Sequence, residues 1–218
     1  MANYRTHVTG GILAAGLVSF AAYRHQLVPW PLLPITAAIT VVGSLLPDLD
    51  SDSSHPQRIV FSLLALSLPP ALIWRFEALR PERPLEWVAL LALALFIRWP
   101  VLWAFRKLTV HRGIFHSLPA VVIVSGAVYH LSASEGLPPP ARVAFAVAAA
   151  TGYATHLILD EIWSLADWHG GRLAPRKSLG TALALWGSGP RSSLVAWLLA
   201  AAITWSVKVA HLAAASPP

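Results

Sequence analysis

The chain of 218 residues contains no cysteine. That excludes a disulfide framework and every thiolate metal site, so a bound metal must take histidine, carboxylate, backbone or water as ligand. Charge is scarce as well: 12% of residues are Asp, Glu, Lys or Arg against 56% hydrophobic, and the mean hydropathy is +0.60. A soluble domain carries about twice that charged fraction, so the composition reads as an integral membrane protein. The formal charge is +6, yet Lys and Arg are scattered through short loops and form no stripe. This argues against nucleic acid as a partner and for membrane lipid head groups or an anionic substrate. No internal repeat or domain-length linker divides the chain, which reads as one integral membrane domain over residues 1–218.

Apolar runs separated by polar loops predict an all-α, polytopic transmembrane helical bundle of about seven spans. They lie near Val8 to Ala22, Pro31 to Leu46, Ile59 to Trp74, Leu85 to Phe105, Leu118 to Ser132, Arg142 to Leu159 and Leu194 to Leu212. Several are shorter than the ~20 residues of an ordinary span, which predicts short, tilted or broken helices. Arg98 and Pro100 interrupt the fourth run and predict a kink or an early end there. The first run superficially resembles a signal peptide, but His7 would be discarded with it. Gly10, Gly11 and Gly16 in the same run suit a helix packed closely against others.

Against this apolar background stand seven ligand-type residues: His7, Asp48, Asp50, His111, His116, His156 and Asp160. An ionisable group in or beside a membrane costs about 2.5 kcal/mol or more unless compensated, and a bound cation is the simplest compensation. If each run crosses once, the chain start and the loops after the second, fourth and sixth spans share one side. Every one of these motifs falls there, as a site built between bundled helices requires. More Lys and Arg residues lie on that side than opposite, which makes it the cytoplasmic face by the positive-inside rule.

His156 and Asp160 are spaced i,i+4, one helical turn apart on one face. Both can reach one metal, or Asp160 can orient His156 from behind. Glu161 points elsewhere and reads equally as a general base or a solvated residue. Asp48 and Asp50 follow the proline that ends the second span, and alternation would face both the same way. Two such carboxylates suit one metal or a bridge between two. Asp52 reads as solvated, while His55 is as readily a ligand as a loop residue. His111 and His116 bracket Arg112 and Gly113; i,i+5 is wrong for one helical face, so the glycine predicts a turn that folds both rings inward. Arg112 between them suits a phosphate or carboxylate clamp. His25, His130, His169 and His211 read as ordinary structural histidines, and most of the ten tryptophans as interfacial belts.

The segments LLPDLD (45–50), HRGIFHSL (111–118) and GYATHLILDEIW (152–163), with His7 before a glycine-containing first helix, together resemble the YdjM family of inner-membrane, metal-dependent hydrolases. The resemblance covers most of the chain and implies that His7, Asp48, Asp50, His111, His116, His156 and Asp160 form the polar core. Phe115 stands where the family commonly has threonine, which removes a hydroxyl. The stretch Lys177 to Leu183, with Ser178 and Thr181, resembles a segment that follows the third motif in relatives and implies a cover over the site.

The expected function is therefore a membrane-embedded hydrolase using metal-activated water. Zinc is expected first, because imidazole dominates the donors, with manganese or magnesium open to the carboxylates. Arg112, Lys177, Ser178 and Thr181 are expected to bind an anionic substrate, with Asp50 or Glu161 relaying the proton. A lipid phosphoester fits best and a lipid acyl ester or amide next. A metal or proton transporter, or a membrane protein with a structural metal, are the non-enzymatic alternatives.

Overall fold

A computed structural model describes residues 2–50, 54–75, 81–104, 115–133, 136–165, 180, 183–185 and 189–215. Among these the protein is all-helical. Seven α-helices follow in order: α1 (Tyr4–Arg24), α2 (Leu33–Gly43), α3 (Ser54–Arg75), α4 (Pro84–Phe96), α5 (Leu118–Leu131), α6 (Pro139–Leu165) and α7 (Pro190–Ala215). Each coincides with one apolar run of the sequence. By length and composition, Tyr4–Arg24, Pro84–Ala104, Pro139–Leu165 and Pro190–Ala214 are long and apolar enough to cross a membrane, while Trp30–Gly43 and Leu118–Leu131 are shorter apolar helices.

Two compact units make up the chain: Met1–Pro47 with Arg112–Pro218, and Asp48–His111. The larger unit contains α1, α2, α5, α6 and α7. Its axis is α6, whose stripe of Ala141, Ala144, Phe145, Ala148, Ala149, Gly152, Tyr153, His156, Leu157 and Asp160 is buried. Small residues on that stripe let backbones approach closely, which is how apolar helices gain packing where lipid competes with side chains. A Cβ added at Gly43 would sit 2.8 Å from the carbonyl of Ala149, and one at Gly152 would collide with the carbonyl of Thr40. Gly10 and Gly11 on α1 meet Leu159 and Ser44 in the same way, whereas Gly16 faces open space. Close packing thus explains two of the three glycines singled out in the first run.

Thr36 and Thr40 are fully buried on α2, and each hydroxyl donates to the carbonyl one turn back, at 3.2 and 3.0 Å. This satisfies a polar atom inside the packing without a partner helix. On the other side of the unit α7 lies against α5, with Ile203 filling the space above Gly126.

The smaller unit pairs α3 with α4 around Val60, Phe61, Ala65, Ile97 and Leu102. Proline opens α4, and Glu86 in its first turn accepts the N–H groups of Glu82 and Arg83 at 2.6 and 3.1 Å. The expected break at Arg98 and Pro100 takes the form of a π-helical turn over Ile97–Val101. Proline supplies no N–H, and a wider turn lets the helix continue past it rather than stop.

Candidate metal centre

Four stretches of the larger unit place polar side chains at one end of its helices. His7 lies in the first turns of α1, whose start is fixed by Asn3: its side-chain oxygen accepts the Thr6 N–H at 2.9 Å, as an N-cap does. His156 and Asp160 lie one turn apart near the end of α6. His116 immediately precedes α5. Its segment is held by the Tyr153 hydroxyl, which donates to the carbonyl of Phe115 at 2.5 Å, and by the Leu118 N–H, which donates to the carbonyl of Ala184 at 3.1 Å. Ser44, just past the end of α2, is the fourth contributor.

All these side chains are buried, His156 completely and His7 and Asp160 to within 1%. The Asp160 carboxylate is the centre. Its Oδ1 lies 3.3 Å from Nε2 of His7, and its Oδ2 lies 3.7 Å from Nε2 of His116 and 3.8 Å from Nε2 of His156. The Ala2 N–H also donates to Oδ1, at 2.9 Å. The His7 and His156 rings stack with centroids 3.6 Å apart, and the His116 ring stands edge-on to His156 at 5.6 Å.

One contact sets the chemistry of this arrangement. Nδ1 of His156 lies 2.8 Å from the carbonyl of Ser44. A carbonyl only accepts, so Nδ1 carries a proton, and in the neutral ring Nε2, 3.8 Å from Asp160 Oδ2, is the nitrogen left to ligate. Ligating histidines are commonly oriented by such a backbone partner. Ser44 is itself pinned, its hydroxyl donating to the carbonyl of Val41 at 2.7 Å.

The donor set fits a divalent cation. Two ligand atoms each about 2.0–2.2 Å from a tetrahedral ion lie ~3.3–3.6 Å apart, close to the separations around Asp160. Ligand atoms of His7, His156 and Asp160 all lie within 4.8 Å of one another. Asp160 Oδ2 is buried with no hydrogen-bond partner among the described residues. A buried carboxylate oxygen left without a donor is costly unless positive charge balances it, and a cation bound between the imidazoles and the carboxylate removes that cost.

Asp48 is half-buried in the short 3-10 turn Pro47–Asp50, with Asp50 closing that turn, and both belong to the smaller unit. His111, Arg112, Lys177, Ser178 and Thr181 lie outside the described residues, as does Asp52. Glu161 is half-buried, and its carboxylate accepts the N–H of Gly180, which ties the segment after the third motif to the end of α6. Sequence reasoning missed the Ser44 carbonyl, the Ala2 N–H and Tyr153. The first two are backbone groups that no residue type announces; Tyr153, one turn before His156 and fully buried, sat in the quoted motif without being assigned a part.

No curated protein and no solved structure matches the chain. The family model described as YdjM inner membrane protein matches residues 1–215, and the chain belongs to that family.

Proposed function

We propose that the protein is a membrane-embedded, metal-dependent hydrolase that cleaves a lipid phosphoester. The observation that carries this reading is the convergence of three imidazole Nε2 atoms on the one buried carboxylate of Asp160, at 3.3 to 3.8 Å, at one end of the helical unit. A transporter would set its ligands near mid-membrane with access from both sides. A divalent ion held here supplies Lewis acidity and activates water at neutral pH. Zinc suits three imidazoles best, with manganese or magnesium as the alternatives if Asp48 and Asp50 add hard oxygen.

Each of the chain's own groups then has a part. His7, His116, His156 and Asp160 hold the ion, and the Ser44 carbonyl keeps His156 in the tautomer that can ligate. Arg112 and Lys177 steady the substrate's anionic group through charge-assisted hydrogen bonds, with Ser178 and Thr181 as further substrate-binding residues. Asp50 or Glu161 takes the proton from the attacking water. The excess of basic loops on the motif side supports a site at the cytoplasmic face, where a lipid enters sideways. Cysteines introduced at Ser53 and Ser178 should then label from the cytoplasm, and one at Ser134 from the other side.

Four converging donors favour one second reading. Four protein ligands saturate a tetrahedral ion, as in structural sites, whereas a catalytic site leaves a position to water. One assay series separates the two. Wild type, Arg112→Ala and His156→Ala are offered phospholipids, other lipid phosphoesters and acyl lipids, alongside elemental analysis. The hydrolase reading expects turnover that chelation stops. It expects Arg112→Ala to keep its metal and lose about a hundredfold in rate, the effect of removing one anion-stabilising clamp. Metal retained with no lipid turned over selects the structural reading.

A further inference from the structure

The smaller unit carries a second polar feature that the histidine site leaves unused. Arg98 lies within the apolar segment Pro84–Ala104, on the π-helical turn of that helix. An arginine in a membrane span is retained at a cost and ordinarily marks a function. Arg58, near the start of α3, faces the same cavity, a cleft of about 410 Å³ lined by Arg58, Arg98, Trp99, Leu102 and Trp103. Among the described residues neither guanidinium is in an ion pair. Leu102 closes the floor as a buried residue, while Trp99 and Trp103, one turn apart, stand 59% and 61% exposed.

We propose that this cleft binds a phosphate-bearing anion, with the phosphate of an anionic membrane lipid as its source. Two guanidinium groups facing one cleft match the geometry of a phosphate, which takes paired N–H donors from each. Arg98 lies on the π turn, which packs against α3, and it lines the cleft together with Arg58 from that helix. The exposed indole pair selects the lipid source, since tryptophan rings on an apolar helix settle at the head-group level with their N–H toward the polar layer. A lipid lying there has its glycerol backbone against indole and its phosphate in the cleft. This site stands on the smaller unit alone and is independent of the metal-hydrolase reading.

The test uses full-length protein purified in neutral detergent. Native mass spectrometry counts retained lipid after titration with phosphatidylglycerol or phosphatidylcholine, and equilibrium dialysis measures binding of inorganic phosphate. Wild type should retain phosphatidylglycerol in preference to phosphatidylcholine. Arg58→Gln/Arg98→Gln should lose about thirtyfold in that affinity, the effect of two basic side chains at a head-group surface. Arg58→Lys/Arg98→Lys, which keeps the charge without the paired donors, should fall between. Inorganic phosphate bound alone, and lost in the Gln variant, keeps the anion site and removes lipid as its source. Wild-type protein that prefers neither anion overturns the proposal without any variant having to fold, and so does a folded Gln variant with undiminished phosphatidylglycerol binding.

Discussion

The five-helix unit carries histidines at both ends, and the two groups behave differently. At the end where α5 finishes, Nε2 of His130 lies 2.8 Å from the Ser206 hydroxyl, and Nδ1 of His211 lies 3.3 Å from the hydroxyl of Tyr129. These rings are not fully buried, each meets a neutral hydroxyl, and together they pin α5 to α7. Where α5 begins, His116 joins His7 and His156 in a buried site around a carboxylate. A hydroxyl can donate or accept and so satisfies an imidazole in either tautomer. A shared carboxylate leaves several ring nitrogens directed at one point, an arrangement that could hold a metal ion. What separates a structural histidine from a candidate ligand here is the company it keeps, since the residue type is the same.

The sharpest way to break that comparison is to remove one member of the buried group. His156→Ala or Asp160→Asn should reduce bound metal to background in elemental analysis of purified protein. Either change should also cost about 3 kcal/mol or more of stability, because a member of a coupled buried set is lost and its partners remain. A thermal melt in detergent reads the second effect. If both variants fold with full metal content, the buried histidines are no more a ligand set than the exposed pair.

A smaller effect should come from a residue that touches no donor. A Cβ at Gly11 would collide with the Ser44 hydroxyl and come within 2.9 Å of its Cβ. Ser44 must then shift, and its carbonyl is what orients His156. Losing such an orienting partner costs about 10- to 100-fold in metal affinity, so Gly11→Ala should weaken binding in a competition titration with a chelator. Gly16→Ala, with open space around it, should leave affinity unchanged.

This dependence on Ser44 also marks where the sequence stopped being readable. His7, His116, His156 and Asp160 were legible because their motifs are polar islands in apolar surroundings, and because alternate crossings of the chain bring them to the same side. The i,i+4 spacing of His156 and Asp160 translated directly into neighbouring groups on α6. The seven helices were legible as apolar runs, and the π turn was foreshadowed by Pro100. The tautomer-setting carbonyl was not legible, since every residue carries one and only the packing of α2 against α6 chooses Ser44. Nor was the division into two units, because the runs on either side of Asp48 and His111 look alike in hydropathy.

Next in size is Tyr153→Phe. The hydroxyl holds the carbonyl of Phe115 from a fully buried position, which fixes the segment bearing His116. Its removal deletes one hydrogen bond and leaves a carbonyl to find another donor, a loss of about 1 kcal/mol. The comparison sharpens through the form of that loss. Metal should still bind in full at saturation, with affinity reduced several-fold and His7, His156 and Asp160 still in place. A metal-free Tyr153→Phe protein that is otherwise folded would mean that the position of His116 is the dominant determinant of the site.

The smallest effect belongs to the other end. His130 is exposed, and His130→Ala gives up one hydrogen bond to a hydroxyl that also reaches the Ile203 carbonyl at 2.9 Å. Ser206 therefore keeps a partner, and the expected cost is about 0.5 kcal/mol or less, as for surface substitutions generally. Metal stoichiometry should equal that of wild type. The decisive readout is the change in melting temperature on adding metal to chelator-stripped protein, since a ligand that binds only the folded state raises its stability by mass action. His130→Ala should retain the whole of that increase, and His7→Ala should lose it. If His130→Ala lost it as well, binding would depend on the packing of α5 against α7, and the two ends of the unit would be one coupled system instead of a ligand site and a helix clasp.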